Sequence, residues 1–490
     1  MALPDAVSVL HADQPRVTSD TLARPTPSRQ QTGRYVRTTR TVKGAPVRTD
    51  GRPRAHAADP AITGPSGTVR YAELRRMIAE DSLRHAPGQR SVVGSADPVQ
   101  QLISLLGAMA AGARPVVVDP NWPPAQLTAA LRLTAASPTS PAIPAPAASP
   151  APAASPARAA AHQHGPVGPA WIGFTSGSAG TPRPIWRSAA SWTSSFPPLS
   201  ALTGITAGQR VLIGGSLASS MFLFGALHAL WAGAHVIAPG RWVPRRLPAA
   251  DVAHCVPAML SDLVETPAPP PVVICAGAVL PDRVRAEAAA AGIGVKEYYG
   301  ATELSFVAWR DETGLLTPFP GVEIQLRSRE IWARSPYLCS GYAAAAVTGP
   351  LRMDPDGFAT VGDLGVLGED GGLTVLGRGD GTILTGGALV HPDDVEAVLS
   401  GVPGVRGVVV VGTAHPRVGE IVTAVIEPAP GREPRLADLR SAVRSQLSAA
   451  HHPRHWYLME RLPRTSAGKV ARAAIATAVD DGTLPARRLV

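Results

Sequence analysis

From Thr68 onward, short apolar runs alternate with longer amphipathic stretches, and this alternation narrows the possible folds more than any other feature of the chain. Val69-Arg70-Tyr71 reads as a strand, Ala72 to His85 as a helix, Gln100 to Ala111 as a second helix, and Pro115 to Val118 as an apolar strand. Strands separated by helices pair in parallel, because each helix carries the chain back across the sheet. The expected architecture is α/β, a parallel sheet covered by helices. The same pattern accounts for the stretch most easily mistaken for a membrane span. Val211 to Gly240 carries no charge, but Gly214, Gly215, Ser216, Ser219, Ser220 and Gly225 interrupt it, and it contains His228 and His235. It reads as a buried strand–helix–strand passage, and no membrane span is expected.

Outside the alternating body the composition changes. Residues 1–55 lack a sustained hydrophobic period and are expected to form a flexible tail. Within it, residues 15–54 hold ten Arg/Lys, from Arg16 to Arg54, against Asp20 and Asp50. That excess accounts for nearly all of the formal charge of +9, so the body is close to neutral and nucleic acid is not an expected partner. The segment 136–170 is dominated by Ala, Pro and Ser and reads as a semi-rigid excursion inside a domain, since alternation resumes at Trp171. It continues to about residue 376. A second block then brings strands Val408 to Gly412 and Ile421 to Glu427 and a helix from Leu436 to Ser448. Between the blocks, Gly377-Arg378-Gly379-Asp380-Gly381 is the most hinge-like punctuation. Cys255, Cys275 and Cys339 have neither disulfide nor metal-ligand spacing, and the N-terminus lacks the apolar core of a secretory signal. A reduced, cytoplasmic compartment is the expectation.

Four segments carry candidate chemistry. Phe174-Thr175-Ser176-Gly177-Ser178-Ala179-Gly180-Thr181-Pro182-Arg183 follows a short apolar strand. Its small residues let backbone N–H groups and hydroxyls gather round an anion, although such clusters are more often plain loops. It is not a Walker loop, because Gly-Lys-Ser/Thr is missing. Tyr298-Tyr299-Gly300-Ala301-Thr302-Glu303 offers an aromatic to stack on a base, then a hydroxyl and a carboxylate for a phosphate and its magnesium; equally, it is a strand leaving a core. Thr360-Val361-Gly362-Asp363 places one acid after a glycine, a weak signal for a sugar diol. Finally, the chain has three lysines against forty-three arginines, and one is Lys469 in Pro463-Arg464-Thr465-Ser466-Ala467-Gly468-Lys469. An ammonium kept where nearly every base is arginine suggests one mobile donor reaching one oxygen; equally, it is a surface lysine on a turn between two arginines.

In order and spacing these segments resemble the adenylate-forming superfamily, which includes acyl-CoA synthetases, carrier-protein adenylation domains and firefly luciferase. The resemblance covers roughly residues 57–475. It implies a large N-terminal multi-sheet α/β domain, residues 56–379, and a small mobile C-terminal α/β domain, residues 380–490, pivoting at Asp380. It also implies roles. Thr175, Ser176, Gly177, Ser178, Ala179 and Gly180, with Arg183, would grip the ATP phosphates. Glu303, beside Thr302, would hold Mg2+. Tyr299 and Gly300 would face adenine, with Gly277 and Ala278 on its other side. Asp363, supported by Arg378, would take the ribose hydroxyls, and Lys469 would be the catalytic cation. After rotation of the small domain, Gly386 and Gly387 would admit a pantetheine arm. The chain departs from the family in Arg183-Pro184, where Lys-Gly is usual, and in Arg329, where glycine usually precedes Glu330.

The reaction so implied joins a small-molecule carboxylic acid to ATP and then passes the acyl group to CoA. Val390-His391-Pro392 with Val395-Glu396 looks more like acyl-CoA synthetases than like enzymes that load an acyl carrier protein. An acyl carrier protein as acceptor, and a non-ligating adenylate binder, are the alternatives. Met221, Phe222, Phe224, Gly300, Ala301 and Phe306 are candidates for the acyl pocket, and their apolar character points to a fatty or aromatic acid.

Overall fold

The computed structural model describes residues 41–43, 55–135, 170–175, 182–344, 347, 349–378, 383–385, 388–390, 392–415, 419–465 and 468–490. The Ala/Pro excursion, apart from Ala170, lies outside the described residues.

Two domains follow one another along the chain, a large N-terminal one and a smaller C-terminal one. Among the described residues the large domain holds three sheets. Its central sheet has nine strands among the described residues. Arg210–Ile213, Val252–Cys255, Val272–Cys275 and Gly294–Ala301 run side by side in parallel, the first three largely buried and the fourth half-buried. The first three are short and mostly apolar, as strands covered on both faces must be, whereas Gly294–Ala301 carries Lys296 and Glu297. A second sheet joins Arg90–Val93, Arg114–Val117 and Ala170–Thr175 in parallel, then Arg183–Ser188 antiparallel. The third is antiparallel and ends with Asp363–Leu367 paired to Leu373–Arg378. The small domain begins its own sheet at Ile383–Thr385 and centres it on the long pair Val405–His415 and Gly419–Pro428. It has a separate core around Val395, Leu399, Val410, Ile426 and Trp456.

The uncharged stretch resolves into the strand Arg210–Ile213, the helix Ser220–Trp231 and the strand His235–Ile237. No helix among the described residues is long and apolar enough to cross a membrane. Two expectations need correction. Tyr71 is not strand: it opens the helix Tyr71–Ser82, where the Glu73 carboxylate accepts from the Arg70 N–H at 2.9 Å and so fixes the start one residue early. Nor is the whole of residues 1–55 a flexible tail. Thr41–Lys43 is a strand that pairs antiparallel with Glu323–Arg327. A β-branched Thr-Val pair meets an edge that would otherwise leave its N–H and C=O groups unpaired.

Parallel strands bring their C-terminal ends to one rim, and the groups that follow the strands gather there. At that rim lie Gly214 and Gly215, Val256, Ala276 and Gly277, and the segment from Tyr299 to Glu303. The small domain packs over the same rim. The Arg406 guanidinium bonds the Asp262 carboxylate, and Arg283 Nη2 donates to the Val405 carbonyl at 3.1 Å.

Candidate active site

A cleft of about 1620 Å³ lies between the two domains. Thr175, Arg183, Gly277, Ala278, Tyr299, Gly300, Thr302, Glu303 and Asp363 line it from the large domain, and Lys469 from the small one. Residues separated by up to 294 positions in sequence (Thr175 to Lys469) are therefore brought to one cavity. Ser176, Gly177, Ser178, Ala179, Gly180, Asp380, Gly386 and Gly387 lie outside the described residues. The Arg378 backbone pairs with Asp363 in the third sheet.

Local geometry explains why these residue types stand where they do. The strand Gly294–Ala301 slips register against its neighbour between Tyr299 and Gly300. At that bulge Gly300 presses so closely on the Ser305 carbonyl that any Cβ would overlap it. The bulge turns Tyr299 into the cleft, where its hydroxyl donates to Asp363 Oδ2 at 2.7 Å. Asp363 is reached through Gly362, whose φ of +84° suits glycine, and its carboxylate is 7% exposed as a residue. Tyr299 and Asp363 thus offer a flat ring and an oriented carboxylate side by side.

The lysine loop is a tight hairpin. Thr465 N–H donates to the Lys469 carbonyl at 2.7 Å, and Gly468 N–H to the Thr465 carbonyl at 2.8 Å. Gly468 has φ +76°, again a glycine conformation. Beyond the hairpin, Arg472 fastens the next helix through Glu396, at 2.5 and 3.0 Å. Burial raises the Glu396 pKa above its ordinary value, opposed by the adjacent Arg472 charge. So anchored, Lys469 extends over the rim of the large domain, its Cε 3.1 Å from where a Cβ on Gly277 would stand.

Among the described residues no group of three or more His, Cys, Asp or Glu could hold a metal ion by itself. What the cleft offers is hard oxygen. Glu303 is 3% exposed and lines the cavity with Thr302. Thr175 Oγ1 is buried at its edge without a hydrogen-bond partner among the described residues. One carboxylate and nearby hydroxyls fit Mg2+, which is usually held by one or two carboxylates together with substrate phosphates.

The acyl-pocket candidates divide. Gly300 and Ala301 line the cleft, and Met221 lies beside Gly277. Phe222, Phe224 and Phe306 do not line it: they are buried core residues, Phe224 packing edge-to-face on Phe306 at 5.0 Å. Sequence cannot separate these roles, because a pocket wall and a core ask for the same apolar side chains.

A family model described as the AMP-binding enzyme matches residues 52–343, and one described as its C-terminal domain matches residues 394–469. The chain belongs to the AMP-binding enzyme family. Among its relatives is YhfT of Bacillus subtilis (strain 168), an uncharacterized acyl–CoA ligase, 32% identical over 339 residues that make up 63% of this chain and 68% of YhfT. A probable 2-succinylbenzoate–CoA ligase of Mycobacterium tuberculosis (strain H37Rv) is 37% identical over 47% of this chain, which spans 59% of that relative. The chain spans only 20% of a mycobacterial medium/long-chain-fatty-acid–CoA ligase. Among solved structures, ATP-bound MatB from Rhodopseudomonas palustris superposes over 87% of this chain and 97% of its own, with a TM-score of 0.69 at 21% identity. Wild-type Escherichia coli MenE covers 86% and 96%, with a TM-score of 0.63 at 21% identity. These likenesses show the fold.

Two features of this AMP-binding enzyme escaped sequence reasoning. One is Arg187, 1% exposed in the strand Arg183–Ser188; an arginine directly after the buried run Pro184-Ile185-Trp186 was the available signal. The other is the contact between domains. Asp262 accepts from Trp242 Nε1 at 2.8 Å and also bonds Arg406, which lies 3.5 Å from Glu427. Arg464, in the lysine loop, lies 3.6 Å from the same Glu427. Burial lowers the Arg464 pKa, opposed by the Glu427 and Asp262 charges. No sequence spacing advertises partners so far apart.

Proposed function

We propose that this enzyme is an AMP-forming acid–thiol ligase: it converts a carboxylic acid and ATP to an acyl-adenylate and pyrophosphate, then transfers the acyl group to the thiol of CoA. The observation that carries the reading is the reach of Lys469 across the domain boundary to Gly277, in the cleft that also holds Tyr299, Asp363 and Glu303. The relatives named above as CoA ligases support the choice of acceptor.

The first half-reaction has to bring two anions together. A carboxylate oxygen attacks the α-phosphorus while the bond to pyrophosphate breaks. The Lys469 ammonium, carried on a stem lying over Gly277, neutralises both partners and the charge that develops on the phosphate oxygens. Removing one preorganised donor of this kind costs about 10²–10³ in rate. Tyr299 stacks on the adenine, and its hydroxyl holds the Asp363 carboxylate turned toward the ribose diol. Arg183, the first residue of the strand that follows the phosphate loop, faces the phosphates as a cation. Glu303 and Thr302 would hold Mg2+, which when bound supplies charge neutralisation for the leaving pyrophosphate. In the second half-reaction the thiol attacks the acyl carbon and AMP leaves. Lys469 has no part in that step, and the small domain rotates to bring the segment around Gly386 and Gly387 to the cleft.

The acid is apolar. Trp122 and Phe174, edge-to-face at 5.2 Å, line the cleft together with Val256, and these walls suit a fatty or aromatic chain better than an ammonium. The test is ATP-dependent pyrophosphate release against a panel of fatty, aromatic and amino acids, each with and without CoA. Release with an apolar acid, and a thioester only with CoA, is the expected result. Adenylate without thioester would reassign the acceptor to a carrier protein. ATP binding with no release for any acid would overturn the ligase reading.

A further inference from the structure

We propose that Arg187 is a positioning residue whose buried guanidinium locks the Thr302–Glu303 turn to the phosphate-loop strand, presetting the Glu303 carboxylate to share a magnesium ion with ATP. The inference rests on the reading of Glu303 as the magnesium ligand, and it concerns how that ligand is held.

Arg187 sits in the strand Arg183–Ser188, paired with Ala170–Thr175, the strand that leads into the phosphate loop. Its side chain crosses to two distant segments. Nη2 donates to the Thr302 carbonyl at 2.5 Å and, at 3.4 Å, to that of Glu303. Nη1 donates to the Tyr337 carbonyl at 2.5 Å and to Ser191 Oγ at 3.3 Å. The Cys339 N–H, two residues beyond Tyr337, also donates to the Glu303 carbonyl, at 2.8 Å. The guanidinium and this N–H together clamp the backbone on which Glu303 stands.

The turn needs such a clamp. Thr302 and Glu303 lie between two strands whose register slips at Tyr299 and Gly300, so the ladder does not continue through them. Ser305 closes the turn with φ +58°, a conformation that non-glycine residues rarely adopt. A hydrocarbon side chain at 187 would fill the same buried space without the desolvation that a cation suffers. What it could not do is fix carbonyls from two segments. A lysine would keep the charge but not the span, because only the planar fork presents several N–H groups in fixed directions. Charge contributes as well. Burial pushes the Arg187 pKa down, and the nearby Cys339 and Glu303 push it back up, so the arginine and the glutamate sense each other.

The experiment measures ATP affinity by calorimetry on the full chain, with Mg2+ and with EDTA, for Arg187→Met, Arg187→Lys, Ser191→Ala and, as reference, Glu303→Gln. Arg187→Met and Glu303→Gln are each expected to weaken ATP binding about tenfold in Mg2+ and less than twofold in EDTA. Arg187→Lys should behave like Arg187→Met, and Ser191→Ala should lose two- to threefold in Mg2+ alone. If Glu303→Gln binds like wild type in both conditions, the magnesium reading of Glu303 fails, and this inference with it. If Glu303→Gln shows the loss while folded Arg187 variants bind like wild type, or lose equally with and without metal, the role given to Arg187 is overturned on its own. Should both Arg187 variants fail to fold, Ser191→Ala decides, and a wild-type metal dependence in it refutes the proposal.

Discussion

Replacing Gly277 with alanine tests the placement of the lysine more sharply than removing the lysine does. The new methyl would stand 3.1 Å from Lys469 Cε, 3.4 Å from Val256 Cγ1 and 3.8 Å from Met221 Sδ. Carbon contacts relax at about 3.5–4.0 Å, so the lysine stem must retreat by roughly 0.4 Å or more. Misplacing a reacting group by about 1 Å costs about 10²-fold, and on a logarithmic scale a retreat of roughly 0.4 Å costs about sixfold. A second cost falls elsewhere. Gly277 has φ +91°, and an alanine held there stores about 1–3 kcal/mol of backbone strain, which lowers stability without touching the chemistry. The two costs separate in a pair of assays on Gly277→Ala. Pyrophosphate release at saturating ATP and acid should fall about five- to tenfold. Thiolation of supplied acyl-adenylate should stay within about twofold, because that step, as proposed, makes no use of Lys469. Equal loss in both half-reactions would mean that strain deforms the whole rim. No loss in either would mean that Lys469 does not sit over Gly277 when adenylation occurs, and the assignment of the lysine would fall with it.

Three further outcomes follow from the same geometry. Lys469→Ala should lower adenylation about 10²–10³-fold and spare thiolation of supplied acyl-adenylate; equal loss of both would sink the two-conformation reading. Asp262→Asn removes the charge that Arg406 meets across the domain boundary, an interaction of a class worth about 1.5–3 kcal/mol, so the ratio of thiolation to adenylation should rise about tenfold; an unchanged ratio of the two rates would show that the contact does not bias the small domain. Burial lowers the pKa of His228 to about 3 and of His254 to about 4, so between these values and the unfolded value of about 6.5 the unfolded chain binds protons that the fold refuses. The stability they contribute is complete above that unfolded value and is lost as pH falls, by about 1.4 kcal/mol per unit for each. Urea unfolding at pH 7, 6 and 5 should show the decline, and His228→Gln should roughly halve its slope; an equal slope in the variant would refute the assignment.

How much of this was legible depends on the kind of constraint each residue obeys. That Tyr299, Glu303, Asp363 and Lys469 share one cleft was foreshadowed by their motifs, because small residues mark the bends that bring a strand end or turn to a rim. The strand–helix alternation was readable because burial on one stripe or on both faces leaves a period in the sequence. Phe222, Phe224 and Phe306 were not separable into pocket and core, since burial is blind to which side of a wall faces the cavity. Arg329 shows a constraint met in an unexpected way: with Ser328 at φ +52° and Arg329 at φ +67°, the turn before Glu330 keeps the positive dihedrals of a glycine turn without the glycine. Arg187 and the Asp262–Arg406 pair stayed hidden for a different reason. Their partners are backbone carbonyls 115 and 150 residues away and a side chain 144 residues away, so their meaning resides in contacts that exist only after folding. A carbonyl has no sequence identity, and a clamp that grips carbonyls leaves its trace on one side only, as an arginine buried beside apolar strand residues. Where such a charge is buried beside a motif proposed to present a carboxylate to a metal, the absence of a visible partner is itself the signal to look for backbone.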